Sequence, residues 1–189
     1  MARDLHHTTL MVAKKGTGKS TKLAEIAKCY ARYSKVLVID VNGSPAYNFI
    51  QEIELKRLRL VKGNGIVKLI GVPDEETLEH ISKHFTDGLI IFEDCTKYIL
   101  GNLSKGIKKF LTDHRMLRLD LIFTFHSLKR IPPQMWEMAS YVSVGKTVEV
   151  FEQGANRNRI PNYENILKAW KKVCAHPSPY HSLTVETFV

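Results

Sequence analysis

The stretch AKKGTGKST, residues 13–21, combines small residues, a lysine and hydroxyl groups in a pattern that suits phosphate binding. Gly16 and Gly18 permit a turn in which successive backbone N–H groups surround a β-phosphate, and the positive end of a following helix adds attraction. Lys19 is placed to bridge the β- and γ-phosphates, and the Ser20 hydroxyl is placed to bind Mg²⁺. The spacing is that of a Walker A motif, so we expect ATP and Mg²⁺ to bind here.

The first position of this motif departs from the usual pattern, because Ala13 stands where glycine is common. A methyl group is tolerable there, since this residue only turns the chain into the loop. A glycine- and lysine-rich turn without a ligand is the alternative, and the expected position between a strand and a helix argues against it. The residues expected to contact the nucleotide are Ala13, Lys14, Lys15, Gly16, Thr17, Gly18, Lys19, Ser20 and Thr21.

Two acidic residues end the apolar run LIIFED, residues 89–94. ATP hydrolysis at such a loop needs one carboxylate at a neighbouring strand end for the Mg²⁺ shell, and usually a second one to orient water. We expect Glu93 to take the metal role with Ser20, and Asp94 to orient water, in reverse of the usual Asp-Glu order. Asp40, at the end of KVLVID, is the competing metal carboxylate, but a paired acid after a fully apolar run better fits a central strand. Two solvated acids at a strand end are the alternative.

A third polar strand end, TFHS at residues 124–127, offers groups able to sense a γ-phosphate. Thr124, His126 and Ser127 all qualify, and we favour His126. A histidine that simply bonds to its neighbours at a strand end is an equally good interpretation, because only position supports the sensor role.

The elements that must position these residues follow from alternating apolar and amphipathic stretches. Strands are predicted at residues 8–13, 35–40, 89–92, 119–126, 141–144 and 183–189. Helices are predicted after the 13–21 loop, at 73–85, 103–117 and 162–174, and, as a short one, from Pro132. Residues 58–70 contain turn signals and are predicted to form a small hairpin or an insertion. The alternation predicts a parallel α/β sheet with helices on both faces.

Length and composition suit one domain, with 189 residues of which 44% are apolar. We expect residues 1–189 to form a single domain, with a core at about 8–147 and a C-terminal helix and strand extension at 148–189. Lys and Arg number 28 against 19 Asp and Glu, a formal net charge of +9. This charge favours an acidic partner such as nucleic acid, although many basic proteins bind none.

The sequence shows no membrane or export signal. No apolar run reaches the length of roughly 18 residues that a membrane span needs, and residues 1–7 lack the apolar segment of a secretory signal. Cys29, Cys95 and Cys174 lack the spacing of disulfide or zinc frameworks. We therefore expect a reducing, cytosolic compartment.

Three of these stretches, residues 13–20, 89–94 and 114–135 (HRMLRLDLIFTFHSLKRIPPQM), together resemble the FtsK/HerA superfamily of DNA-pumping ATPases. The compact size is similar to the genome-packaging ATPases of membrane-containing and archaeal viruses, and to the Zot-like phage ATPases. The resemblance covers most of residues 8–147 and includes residues 35–44. It implies a P-loop NTPase fold of the additional-strand, RecA-like type. That family has Gln or a similar polar residue where this chain has His126.

The resemblance also implies partners. It implies a homo-oligomeric ring, hexameric or pentameric, in which ATP lies between subunits and an Arg of one subunit reaches the phosphate of the next. Arg115, just ahead of the sensor strand, is the favoured Arg; the others considered are Arg118, Arg130, Arg157 and Arg159. Basic side chains would bind DNA, expected to be double-stranded, independently of its sequence. The candidates are Lys105, Lys108, Lys109 and residues 154–159. A capsid or membrane docking protein is a further expected partner.

Two rival functions stay open. The loop and KVLVID also resemble the ParA/MinD family, which has a lysine at the position of Lys14, but Lys15 departs from its pattern and its Asp-Thr-Pro-Pro switch is missing. A small-molecule or nucleotide kinase is the other rival, and residues 154–159 are the lid-like piece. We expect a DNA-translocating ATPase, and the role most consistent with the resemblance is viral genome packaging. Conjugation, filament assembly and chromosome segregation use the same kind of ATPase and stay open as alternatives.

Overall fold

The computed structural model describes residues 6–99, 101–148, 157 and 159–188. The strands are β1 Thr8–Val12, β2 Lys35–Asp40, β3 Gln51–Glu52, β4 Gly65–Ile70, β5 Gly88–Phe92, β6 Leu119–Phe125, β7 Tyr141–Val144 and β8 Leu183–Glu186. The α-helices are α1 Lys19–Tyr30, α2 Glu75–His84, α3 Lys105–Asp113, α4 Pro133–Met138 and α5 Tyr163–Ala175. Short 3₁₀ helices are Pro45–Tyr47, Leu55–Leu60, Cys95–Lys97 and Leu128–Arg130.

All strands belong to one 8-stranded sheet of order β3-β4-β2-β5-β6-β1-β7-β8. Neighbouring strands run parallel except for β7 and β8, which are antiparallel. Every residue of β5 and β6 is buried, as their continuous apolar sequences require of strands covered on both faces. Strand β6, which lies between β1 and β5, is the additional strand that the resemblance implies. The predicted fold class is confirmed.

Helices cover both faces of the sheet, but unevenly. Helix α1 packs Leu23, Ala24 and Ala27 on one face, where they meet alternate residues of β2 such as Val36. The other face carries side chains of α2 to α5, and Leu37 of β2 points to that side. Complete burial of a side chain such as Leu37 stabilises the fold by about 1.5–3 kcal/mol. Alternate residues of β2 therefore belong to two hydrophobic cores, one on each face of the sheet.

The pair α2 and α3 depends on capping and on a close approach. Asp74 caps α2 by accepting a hydrogen bond from the Thr77 N–H at 2.7 Å, which stabilises the helix by about 1 kcal/mol. Gly106 in α3 lies so close to α2 that a Cβ there would stand 2.6 Å from Leu78 Cβ. The Glu75 carboxylate accepts a hydrogen bond from the Gly106 N–H at 2.8 Å. Contact between the two helices thus requires glycine at this point.

One sequence prediction was wrong. Residues 58–70 form neither a hairpin nor an insertion: the 3₁₀ helix Leu55–Leu60 leads into β4, a parallel strand between β2 and the short β3. The polar residue in β4, Lys68, is buried and donates a hydrogen bond to the Tyr47 carbonyl at 3.1 Å, so it interrupts the apolar pattern without leaving the sheet.

Other boundaries differ modestly from the prediction. The helix expected at residues 103–117 spans Lys105–Asp113, because Ser104 caps its start and a turn follows before β6. The last strand ends at Glu186. Most of the 154–159 segment falls outside the described residues; only Arg157 and Arg159 belong to them. No helix in the described ranges is long and apolar enough to cross a membrane.

Candidate active site

The loop at residues 13–18 joins the carboxyl end of β1 to α1, as the motif requires. Gly16 and Gly18 have φ angles of 82° and 73°, in the left-handed region that favours glycine. The Thr17 hydroxyl donates to the Lys14 carbonyl at 2.8 Å, and the Lys14 N–H donates to the Lys146 carbonyl at 2.8 Å. These contacts hold the loop in a curved form at the positive end of α1, which is the arrangement of an anion site.

Lys19, the first residue of α1, points its ammonium group back over this loop. Its Nζ donates to the carbonyls of Ala13 and Lys14 at 2.6 and 3.0 Å. Burial lowers the pKa of Lys19 to about 8, while the negative charges of Glu93 and Asp94 offset part of this effect. A partly desolvated cation held by neutral carbonyls gains strongly from an anionic partner, so the group suits phosphate binding.

Ser20 and Glu93 meet at the next position of the site. The Ser20 hydroxyl donates to Glu93 Oε1, and the buried Tyr47 hydroxyl lies beside the same carboxylate. Burial raises the pKa of Glu93, and the nearby hydroxyls of Ser20 and Tyr47 counteract this. Burial and then the Glu93 charge raise the pKa of Tyr47. A buried carboxylate beside a serine hydroxyl fits a hard cation that prefers oxygen ligands.

A cation at this point would need ligands beyond protein carboxylates. Within the described residues no group of three or more His, Cys, Asp or Glu side chains is arranged to hold a metal ion. Mg²⁺ commonly binds through one or two protein oxygens together with substrate phosphates and waters. The residues present therefore fit Mg²⁺ that arrives with a nucleotide, held by Ser20 and Glu93.

Asp94 follows Glu93 in a left-handed conformation, with φ of 47°. Its Oδ2 accepts from Asn42 Nδ2 at 2.9 Å, and its Oδ1 accepts from the Thr96 hydroxyl at 2.6 Å. Its own N–H donates to Thr124 Oγ1 at 2.8 Å. Burial by itself would raise the pKa of Asp94, but the hydrogen bonds that its carboxylate accepts from Asn42 and Thr96 hold the pKa below the usual value. The carboxylate is therefore ionised at neutral pH and fixed in one orientation.

His126 connects Asp94 with Lys19. Its Nε2 lies 3.0 Å from Asp94 Oδ1, and its Nδ1 lies 3.0 Å from Lys19 Nζ. An ammonium group can only donate, so Nδ1 accepts from Lys19 while the lysine is charged, and Nε2 then carries the proton that is donated to Asp94. Nδ1 also lies 3.4 Å from the Ala13 carbonyl oxygen, which can only accept, so a protonated Nδ1 has a second partner. With Lys19 charged, the hydrogen bonds run from Lys19 through His126 to Asp94.

The competing carboxylate, Asp40, is committed to the backbone. Its Oδ atoms accept hydrogen bonds from the N–H groups of Asn42 and Ser44, at 2.9 to 3.2 Å, and so close the turn after β2. Asn42 then reaches Asp94 and also accepts from Lys97 Nζ. Sequence reasoning did not single out Asn42, although its position directly after a predicted strand at the same sheet edge was a usable signal.

The arginines considered for contact with a neighbouring subunit lie elsewhere. Arg115 is exposed at the amino end of β6, the edge of the sheet opposite the loop, and so cannot act in its own site. Arg118 pairs with Asp87, Arg157 with Glu164, and Arg159 donates to the Ile131 carbonyl. Arg130 is exposed on the edge that carries His126. The exposed lysines Lys105, Lys108 and Lys109 lie along α3.

No protein-family model matches the sequence, and no curated protein matches it. Among solved structures, the genome-packaging NTPase B204 of Sulfolobus turreted icosahedral virus 2, in complex with AMP, superposes with a TM-score of 0.74 at 17% identity, covering 98% of this chain and 94% of that one. Its complex with ATP-gammaS gives 0.73 at 18% identity, with 96% and 92% covered.

The N-terminal domain of zonular occludens toxin from Neisseria meningitidis gives a TM-score of 0.50 at 13% identity, covering 74% of this chain and 76% of that domain. Similarity at such low identity concerns the fold. It agrees with both structural resemblances inferred from the sequence, to viral packaging ATPases and to Zot-like proteins. This chain has a P-loop NTPase fold like that of a viral genome-packaging NTPase.

Proposed function

We propose that this protein is an ATP-hydrolysing motor that moves DNA, and specifically a viral genome-packaging ATPase. The observation that carries the proposal is the convergence of Lys19, Ser20, Glu93, Asp94 and His126 at one edge of the sheet, on a fold shared with a genome-packaging NTPase. The packaging assignment rests on that likeness together with the compact size of the chain. The hydrolysis assignment rests on the contacts.

In the proposed cycle, Lys19 exchanges its two carbonyl partners for β- and γ-phosphate oxygens when ATP enters the loop. Ser20 and Glu93 hold Mg²⁺, and Thr21 with the other loop residues from Ala13 onward contributes to the phosphate cradle. Bound Mg²⁺ would neutralise phosphate charge and keep the transferring group aligned. The exchange gives the partly desolvated ammonium group of Lys19 a directly bonded anion in place of the neutral carbonyls that it bonds in the free protein.

Hydrolysis would then depend on Asp94 and His126. The ionised, oriented carboxylate of Asp94 is suited to position the attacking water. When Lys19 turns to phosphate, His126 Nδ1 loses its donor, and uptake of a proton from solvent would let Nδ1 donate to a γ-phosphate oxygen while Nε2 still donates to Asp94. His126 therefore reports the presence of nucleotide to Asp94 through the hydrogen bond between them.

Movement of DNA would require neighbouring subunits. We propose a homo-oligomeric ring, hexameric or pentameric, in which an Arg from one subunit, with Arg115 as the first candidate, completes the site of the next. Exposed lysines on α3 would contact DNA phosphates, a mode that is independent of base sequence. A capsid or membrane protein would dock the ring, and the motor would work in the host cytoplasm or on the virion.

The experiment that tests this function is steady-state ATP hydrolysis with and without duplex DNA, at low and moderate salt, with Lys19→Ala as the blank. We expect stimulation by DNA that weakens as salt rises, because contacts to phosphates release counterions. Equal rates with and without DNA, together with turnover of a small acceptor, would instead identify a kinase. Unchanged hydrolysis in Lys19→Ala would refute the site assignment.

A further inference from the structure

A loop from the C-terminal part of the chain, residues 176–182 between α5 and β8, lies directly against the phosphate loop. The Tyr180 ring is packed over Gly18, so that a Cβ at Gly18 would stand 3.0 Å from Tyr180 Cδ1. Lys22 of α1 donates to the Ser182 hydroxyl and ties the end of the loop to the same helix. Tyr180 is nevertheless 67% exposed. One face of its ring therefore covers the phosphate loop while the rest is open to solvent.

This loop is braced by its own contacts. The rings of His176 and His181 are stacked, with centroids 3.9 Å apart and planes 18° from parallel. The Ser178 N–H donates to His176 Nδ1 at 3.1 Å, and the Tyr180 N–H donates to Ser178 Oγ at 3.2 Å. The sequence PSPY within the loop contains two prolines, which restrict the backbone further. Little conformational entropy remains to be lost if a ligand packs on the tyrosine.

The strand order shows which end of a nucleotide would meet Tyr180. Glu93, Asp94 and His126 follow β5 and β6, on one side of β1. Tyr180 precedes β8, on the other side of β1 and beyond β7. A triphosphate whose γ-phosphate faces Asp94 and His126 must direct its opposite end, which carries the ribose and base, toward the β7 and β8 side. An exposed aromatic ring is therefore present on the side where a base is expected.

We propose that Tyr180 is the stacking platform for the nucleobase, in the site whose phosphate-binding part is the proposed function above. The cavity enclosed between this loop and the phosphate loop measures about 20 Å³, far too small for a base, so the base must use the exposed face of the ring. Stacking on an aromatic face is tolerant of base identity, because every base has a π-face. Binding should therefore depend on the presence of a base more than on which base it is.

The test compares ligands with and without a base. Affinities of Mg²⁺-ATP-γ-S and of inorganic tripolyphosphate are measured by calorimetry for the wild type and for Tyr180→Ala, Tyr180→Phe and Tyr33→Ala. Tyr33, 82% exposed at the far end of α1, is the matched control for loss of a surface tyrosine. We expect Tyr180→Ala to weaken ATP-γ-S about tenfold or more while tripolyphosphate binding is unchanged, and Tyr180→Phe to keep wild-type affinity.

Each other outcome has a definite meaning. Equal weakening of the binding of both ligands in Tyr180→Ala would show that the ring only shapes the phosphate loop. Tighter binding of both ligands would show that the ring covers the site, and unchanged binding of both would show that the base does not stack on it. Each of these results overturns the proposal. Wild-type protein that binds both ligands with equal affinity would also overturn it, while leaving the phosphate site intact. Failure of the wild type to bind either ligand would refute the proposed function itself. Thermal melting of each variant verifies that it is folded.

Discussion

The partly buried ammonium group of Lys19 should give nucleotide binding a pH dependence that an exposed lysine would not give. Burial lowers the pKa of Lys19 from 10.5 to about 8 in the free protein. Phosphate oxygens favour the charged form, so nucleotide binding raises this pKa again. Below pH 8 the lysine is protonated both before and after binding, and the affinity should be constant. Above pH 8 the free protein is increasingly neutral at this position, and binding must take up a proton.

The size of the effect follows from the same values. One pKa unit corresponds to 1.36 kcal/mol, so the affinity should fall by at most about tenfold for each pH unit between 8 and the pKa of the complex. Solvent screening of the partly buried Lys19 limits how far its pKa rises in the complex and not the steepness of the fall, so the affinity is expected to be about tenfold lower at about pH 9 than at about pH 7. The affinity must stop falling once the pH exceeds the pKa of Lys19 in the complex, because Lys19 is then neutral in both the free and the bound protein.

Calorimetric titration with Mg²⁺-ATP-γ-S, at about pH 7 and about pH 9, measures the affinity and the proton uptake. Pairs of buffers with different ionisation enthalpies report the proton uptake directly, and close to one proton per site is expected at the higher pH. Lys19→Arg is the matched control, since its guanidinium stays charged and its affinity should not change over this range. Constant wild-type affinity with no proton uptake at about pH 9 would show that Lys19 does not meet the phosphates as argued.

Three further predictions concern catalysis and packing. Asp94→Asn should retain ATP binding and lose hydrolysis in a steady-state assay; if Glu93→Gln shows that pattern instead, the two roles are exchanged. Gly18→Ala should weaken nucleotide binding and lower stability by about 1–2 kcal/mol, because φ is 73° and the added methyl group meets the Tyr180 ring. Gly63→Ala is the control: its φ is 75°, no atom of the described residues lies within 4 Å of the added methyl group, and only stability should fall in denaturant melts. Gly106→Ala should cost about 1–3 kcal/mol of unfolding free energy with unchanged nucleotide affinity, and a neutral effect would refute the close helix approach.

The sequence was sufficient to predict the central strands and the edge of the sheet where the candidate site residues meet. Continuous apolar runs such as residues 89–92 identify strands buried on both faces, and polar residues at their carboxyl ends must then meet. Parallel strand order cannot be derived from one sequence by periodicity, so the position of β4 beside β2 was missed. Lys68 contributed to that error, because a buried lysine disguises an interior strand as a polar segment.

The contact of residues 176–182 with the phosphate loop could not be predicted, for a different reason. Tyr180 lies more than 150 residues after the phosphate loop, and it reaches Gly18 only because β8 turns antiparallel beside β7. No local pattern in PSPYHS indicates such a contact. The same applies to Asn42, whose contact with Asp94 depends on the adjacency of β2 and β5. Long-range pairing of strands decides both contacts.

The registers of three strands explain why His126 can link Lys19 to Asp94. Val12 of β1 pairs with Phe125 of β6, so the next residues along each strand, Ala13 and His126, lie side by side. Phe92 of β5 pairs with Phe123, which places Asp94 level with the end of β6. A shift of β6 by one residue would turn the histidine to the opposite face of the sheet and break both of its contacts. The contact of His126 with both Lys19 and Asp94 is therefore a consequence of inserting β6 between β1 and β5, and not of the histidine alone.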